Sequence, residues 1–346
     1  RRSHGWLLTR GGLRHGVLPG RATLDRMVAD FVARQRGIRS AVFDDAIAPL
    51  LGSLLDGVNA KRLVILPDGP LNGLPFAALP LPHGDARELL LHRFVLSSAP
   101  SLALAMRTAR PRAAATRVAV VFDPVYTRED RRMTAVAVAA SRYRGTDPAS
   151  ERLARLPYSA IEARAVLRAF AGDEVILLAG FDATARRVAD LRSRDLEVLH
   201  FATHAVVRRD APGQSALFLS EYGADGAPLT PDRLTADDIT RSGLRADVVV
   251  LSGCSTGDGR ELRGEGVLGL TYGFLANGSN AVVASLWPVE DALTARFMEE
   301  FYGAYRATGH AADALRLAQL RTRTSTRTST GAQVWSSFVL RASALR

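Results

Sequence analysis

A chain of 346 residues, 47% hydrophobic and 23% charged, is long enough for one large domain or two ordinary ones and too apolar for a disordered segment. The net charge of +10 is almost all arginine, scattered along the chain with Lys61 the only lysine. Aromatic residues at 7% are too few to interleave as a base-stacking platform, which argues against nucleic acid as the main partner.

No apolar run reaches membrane-spanning length, so no membrane partner is expected. The start, Arg1-Arg2-Ser3-His4-Gly5, has neither Met nor an apolar stretch after its charges; we expect no signal peptide and a piece of a longer protein. Cys254 is the single cysteine, so no intramolecular disulfide forms, which fits a reducing cytoplasm.

In chain order, Trp6-Leu7-Leu8-Thr9, a Gly11-Gly12 turn and a strand near Val17 predict a hairpin. Helical periodicity follows at 21–34 and 43–55, then the strand-like run Leu63-Val64-Ile65-Leu66, stopped by Pro67-Asp68-Gly69-Pro70. A Pro- and Gly-rich loop leads to a strand near Phe94 to Leu96 and a helix from Ser101. Arg110-Pro111-Arg112 and the alanines after it mark a junction, dividing the chain into residues 1–112 and 113–346.

Beyond the junction, apolar strand runs start at Val118, Glu174, Leu196, Val248 and Ala281. They alternate with helical patterns near 158–170, 183–192, 264–276 and 291–306. Continuous apolar strands separated by helices predict an α/β fold, a mostly parallel sheet flanked by helices on both faces. The charged stretch 127–150 and the low-complexity stretch 321–332 are expected as surface loops.

In open α/β sheets, active sites gather beyond the carboxyl ends of strands. His204 follows the run Leu196 to Ala202, and Cys254 follows Asp247 to Gly253; fifty residues separate them, the spacing of a caspase-type pair. A free thiol ionises near pH 8.5, so a nearby imidazole that accepts its proton creates the thiolate nucleophile and can return the proton to a leaving amine. A helix beginning after Cys254 would favour both thiolate and oxyanion. His200, inside the apolar run, reads as a core histidine.

Three other patterns compete. Cys254 to Arg260 fits the C-x5-R loop of tyrosine phosphatases, but Gly253 stands where those enzymes carry His, and Trp287-Pro288 follows the cysteine instead of preceding it. Gly264-Glu265-Gly266-Val267-Leu268-Gly269 matches a dinucleotide fingerprint, yet no strand runs into it, and its glycines are better read as close helix packing. Asn277-Gly278-Ser279 is a formal sequon and reads as a helix-ending turn.

The chain resembles the CHAT domain, a caspase- and separase-related cysteine peptidase domain often found after tetratricopeptide repeats. The matching blocks run from Trp6 to about Ala342. They include Leu63 to Gly69, Leu74-Pro75-Phe76-Ala77-Ala78-Leu79, Leu199-His200-Phe201-Ala202-Thr203-His204, Leu251 to Gly257, Ala284 to Asp291 and Trp335-Ser336-Ser337-Phe338. The resemblance implies a caspase-like sheet with residues 1–112 as a supporting, pseudo-caspase-like subdomain, a His204–Cys254 dyad, and neither metal nor organic cofactor. It implies an oxyanion hole from the backbone N–H groups of Cys254 and Ala205; relatives usually carry Gly at the latter position, and if positive φ is needed there Ala costs about 1 kcal/mol.

By the same analogy the S1 pocket draws on Asp123, Trp287 and Asp291, whose acids would favour Arg or Lys at P1, with Arg260 and Arg263 as candidate self-cleavage sites. Asp123 before Pro124 and Asp291 before a helix also fit a turn and a cap. The expected partners are a protein substrate and an upstream repeat region or regulatory protein. The competing reading is a non-catalytic scaffold of the same fold.

Overall fold

In a computed structural model of the chain, the structure describes residues 2–38, 50–81, 88–113, 115–133, 153–208, 211–253, 265–325 and 334–343. The predicted hairpin forms from β1 (Ser3–Thr9) and β2 (Gly12–Leu18), followed by α1 (Arg21–Gln35). Two short strands come next, β3 (Arg62–Ile65) and β4 (Val95–Ser98). After residue 113 lie β5 (Arg117–Phe122), α2 (Ser159–Ala169), β6 (Glu174–Ala179), α3 (Ala185–Asp190) and β7 (Val198–Ala202).

A small antiparallel sheet of β8 (Ala205–Val206), β9 (Ala216–Phe218) and β10 (Arg233–Thr235) follows, then α4 (Ala236–Ser242) and β11 (Val248–Leu251). The chain continues with α5 (Glu265–Ala276), β12 (Ala281–Ser285), α6 (Asp291–Thr308), α7 (Ala311–Ser325) and β13 (Phe338–Ala342).

Eight strands make one sheet in the order β3-β4-β13-β12-β11-β7-β5-β6, parallel at every step except β12–β13. The expected mostly parallel α/β architecture is therefore what the sequence folds into. Strands from both sides of residue 112 join this sheet, and Leu24, Phe31 and Phe94 share one core with Val118, Phe297 and Trp335.

Alternation along each central strand sorts its side chains between two covered faces. Val120, Val198, Val250 and Val283 face α2, α6 and α7; Val121, Leu199, Phe201, Leu251 and Ala284 face α3, α4 and α5. On α6 the buried stripe Thr294, Phe297, Met298, Phe301, Tyr302 and Tyr305 follows helical spacing, one face to the core.

The described residues contain no helix long and apolar enough to cross a membrane. The expectation of a loop from residue 321 is corrected in part: α7 runs to Ser325, because Leu315, Ala318, Gln319 and Thr322 keep a buried face, and Arg323 lies against His92. Residues 326–333 lie outside the described residues. The charged stretch after residue 127 is likewise anchored at its start, where Met133 packs with Val125 and Tyr222; its continuation, 134–152, is outside the described residues. Close packing holds for the last glycine of the fingerprint-like stretch, since a methyl on Gly269 would overlap the Pro212 carbonyl.

Candidate active site

Because β5, β7, β11 and β12 are parallel neighbours, their carboxyl ends lie on one edge of the sheet. Register brings Phe122 beside Ala202 and Phe201 beside Leu251. The residues that follow, Asp123, His204 and Gly253, therefore leave the same edge. Cys254, Arg260 and Arg263 lie outside the described residues.

His204 is only 4% exposed. Its backbone N–H donates to the Tyr126 hydroxyl at 3.1 Å, its Nε2–H to the Ala154 carbonyl at 2.6 Å, and the Tyr126 ring lies 5.0 Å away, tilted. Since a carbonyl only accepts, Nε2 must carry the proton, and Nδ1 holds the lone pair. Nδ1 is buried and has no hydrogen-bond partner among the described residues. Burial holds the imidazole below its usual pKa, with the Ala154 carbonyl pulling weakly the other way, so the ring is neutral and basic at Nδ1 near pH 7. Tyr126 is buried too, and burial keeps its phenol protonated well above the usual range despite the His204 N–H.

Ala205 is the first residue of β8, opposite Leu217. Phe218 N–H donates to the His204 carbonyl at 2.8 Å, which makes Ala205–Leu217 the non-bonded pair of the ladder and turns the Ala205 N–H away from β9. Asp123 is the one non-glycine among the described residues with positive φ, so Ala205 carries no left-handed strain. The concern over Ala at this position therefore has no basis in the backbone.

At the end of β11, the Ser252 N–H and Oγ both donate to the Phe201 carbonyl, at 3.1 and 3.2 Å. Gly253 follows against the Thr203 backbone so closely that a methyl there would overlap the Thr203 carbonyl oxygen. Underneath, His200 is fully buried, with Nδ1 at 2.7 Å from the Tyr302 hydroxyl and Nε2 at 3.2 Å from Glu162, the satisfied core histidine expected of it.

Among the described residues, the three S1 candidates are each engaged by the protein's own groups. Asp123 is paired in both carboxylate oxygens with Arg155, at 2.8 and 2.7 Å, and lies 3.1 Å from Arg132. Trp287, 1% exposed, is core. Asp291 accepts the Tyr158 N–H at 2.9 Å, tying the start of α6 to that of α2. Burial pushes the Asp291 carboxyl up to about 6, with the Glu162 and Asp123 charges adding to it and the Tyr158 N–H opposing. Beside this edge, a cleft of about 320 Å³ is bordered by Tyr126, Thr127, Leu153 and Arg155.

Tyr126, Ala154 and Arg155 escape a sequence reading. Ala154 offers only a carbonyl, which every residue has. Tyr126 is a phenol three residues after Asp123, just past the end of β5, and that position was the available signal.

The CHAT domain profile matches residues 38–343. Tetratricopeptide repeat protein 28 of Mus musculus is 28% identical over 298 residues and the Homo sapiens protein 26% over 302; each alignment covers 76% of this chain. The chain spans 11% of the length of either relative. Among solved structures it is similar to the Arg specific cysteine proteinase gingipain R (9% identity, 93% of this chain and 75% of that one, TM-score 0.46). It is also similar to the complex of Porphyromonas gingivalis RgpB pro- and mature domains (10%, 92% and 76%, TM-score 0.45). With nearly its whole length matched, the chain belongs to the CHAT domain family.

Proposed function

We propose that the chain is a cysteine endopeptidase in which His204 is the general base and Cys254 the nucleophile. The observation that carries this reading is the state of His204: Nε2–H fixed on Ala154, Nδ1 buried, unprotonated and unpartnered among the described residues, at the strand end beside the one leading to Cys254.

In the reaction, the Cys254 thiol gives its proton to Nδ1 and the sulfur attacks the scissile carbonyl carbon. The negative oxygen is held by the N–H groups of Ala205 and Cys254. As the C–N bond breaks, Nδ1–H protonates the leaving amine, and a thioester remains. Water, deprotonated by Nδ1, attacks the thioester; the C–S bond breaks, releasing the acid and regenerating the thiol. Residues 113–346 carry this chemistry, with 1–112 as the supporting part.

A preference for Arg or Lys at P1 rests on Asp291, which no basic side chain among the described residues pairs with. The repeat-protein names of the relatives support a repeat region as regulatory partner. The test is covalent labelling with an acyloxymethyl ketone peptide at pH 7. Wild type is expected to label on Cys254, His204→Ala far more slowly, and Cys254→Ala not at all. Wild type that stays unlabelled while folded would overturn the peptidase reading and favour a binding role for the same fold.

A further inference from the structure

Asp123 stands at the end of β5 in a backbone conformation that side chains resist. Its φ of 49° is left-handed, a strained state for a residue with a side chain that persists only where surroundings enforce it. Arg132 enforces it: one guanidinium nitrogen donates to the Asp123 carbonyl at 2.8 Å, another to the Pro124 carbonyl at 3.2 Å. The turn so held aims the Asp123 carboxylate at Arg155, in a bidentate pair whose planar fork fixes orientation as well as distance.

Arg155 adjoins Ala154, whose carbonyl takes the Nε2 proton of His204. On the other side of Ala154, Leu153 is buried against Tyr126 and Phe218. Both neighbours of Ala154 are thus anchored, and through different chemistry. Three residues after Asp123, Tyr126 receives the His204 backbone N–H. The segment leaving β5 therefore reaches His204 twice, directly through Tyr126 and indirectly through Arg155 and Ala154.

We propose that the Asp123–Arg155 pair is a positioning brace: it holds the Ala154 carbonyl where it fixes the tautomer and plane of His204, leaving Nδ1 as the base. This rests on the dyad reading above and assigns Asp123 a different task from substrate recognition. Arg155 is 48% exposed and Arg132 stays 3.1 Å from the buried Asp123 carboxylate, so loss of Arg155 leaves that carboxylate paired and global stability little changed. What it controls is angle. When Nδ1 takes the thiol proton, the Nε2–H bond to Ala154 becomes charge-assisted; an unbraced carbonyl stabilises the imidazolium less, and the thiolate forms at higher pH.

The experiment compares wild type, Asp123→Asn, Arg155→Lys, Arg155→Met and His204→Ala in the full chain. Two readouts are used: iodoacetamide alkylation of Cys254 as a function of pH, and steady-state cleavage of two fluorogenic peptides differing only in Arg or Leu at P1. With the brace in place as proposed, Asp123→Asn and Arg155→Met raise the alkylation midpoint and lower kcat on both peptides by the same factor. A fall of up to about 100-fold is expected, the scale of an ångström of misplacement. KM and melting temperature stay near wild type, and Arg155→Lys is intermediate.

If Asp123→Asn raises KM for the Arg peptide alone, Asp123 is a specificity residue and the proposal fails. If His204→Ala shifts the alkylation profile and neither brace variant does, the brace fails while the dyad stands. If His204→Ala leaves the profile unchanged, the dyad reading itself is wrong. Arg155→Lys keeps the charge and serves as the deciding variant should Asp123→Asn not fold.

Discussion

Substituting Gly253 by Ala tests whether the two strand ends must touch. The added methyl would stand 2.8 Å from the Thr203 carbonyl carbon and overlap its oxygen, where ordinary contact begins near 3.4 Å. Both obstacles are backbone, one residue before His204, so no side chain can swing aside. Relief requires the ends of β7 and β11 to part by more than half an ångström on the carbon alone, and by more on the oxygen. Displacement of about 1 Å in a catalytic pair costs up to about 100-fold in rate, and overpacking costs about 1–3 kcal/mol of stability. Gly253→Ala is therefore expected to slow iodoacetamide alkylation of Cys254 at pH 7 by at least tenfold and to lower the urea midpoint. A variant that is both as reactive and as stable as wild type would show that the strand ends need not approach, and would refute the reasoning.

Tyr126→Phe removes the acceptor of a buried N–H, so a loss of about 1–3 kcal/mol is expected in urea unfolding, with the ring contact to His204 kept. Ala205→Gly relieves no strain, because φ there is not positive, and removes a buried methyl from the core around Phe201; lower stability without faster turnover is expected, read by melting temperature and kcat. Asp291, raised to about 6, is mostly neutral below that pH and charged above it. KM for an Arg-P1 peptide should fall as pH rises through about 6, and Asp291→Asn should abolish that inflection; a profile unchanged by the substitution would remove Asp291 from P1 recognition. For stability the sign is reversed: the raised pKa favours the folded state below the unfolded value near 4, and this contribution is lost as pH rises through 6. Asp291→Asn should flatten that part of the stability curve.

The central strands were legible because they are short apolar runs covered on both faces, and β5, β6, β7, β11 and β12 fall within two residues of where the pattern put them. The same strand ends made His204 visible. β8 to β10, of two or three residues each, are too short to carry a period. β13 was hidden by Arg341, a strand residue 2% exposed whose guanidinium burial alone lowers to about 10, and a charged residue does not read as core. The supports of His204 were hidden for another reason: they act through a carbonyl, a phenol and an ion pair assembled from segments as distant as Asp123 and Arg155, and local sequence encodes none of these meetings.

The place of β13 has a temporal consequence. It is the wedge between β4 and β12, and Arg341 bridges to Ser98 across most of the chain, with the Ser98 hydroxyl donating to the Leu340 carbonyl at 3.0 Å. On a ribosome, β3 and β4 emerge before the other strands of this sheet and wait for their neighbour until all of those have been made. Until then β4 and β12 each present an open edge, ready to pair with the wrong strand. Assembly of this sheet is thus governed by the last of its strands, and a chain broken before Phe338 would hold two half-sheets with no strand to join them.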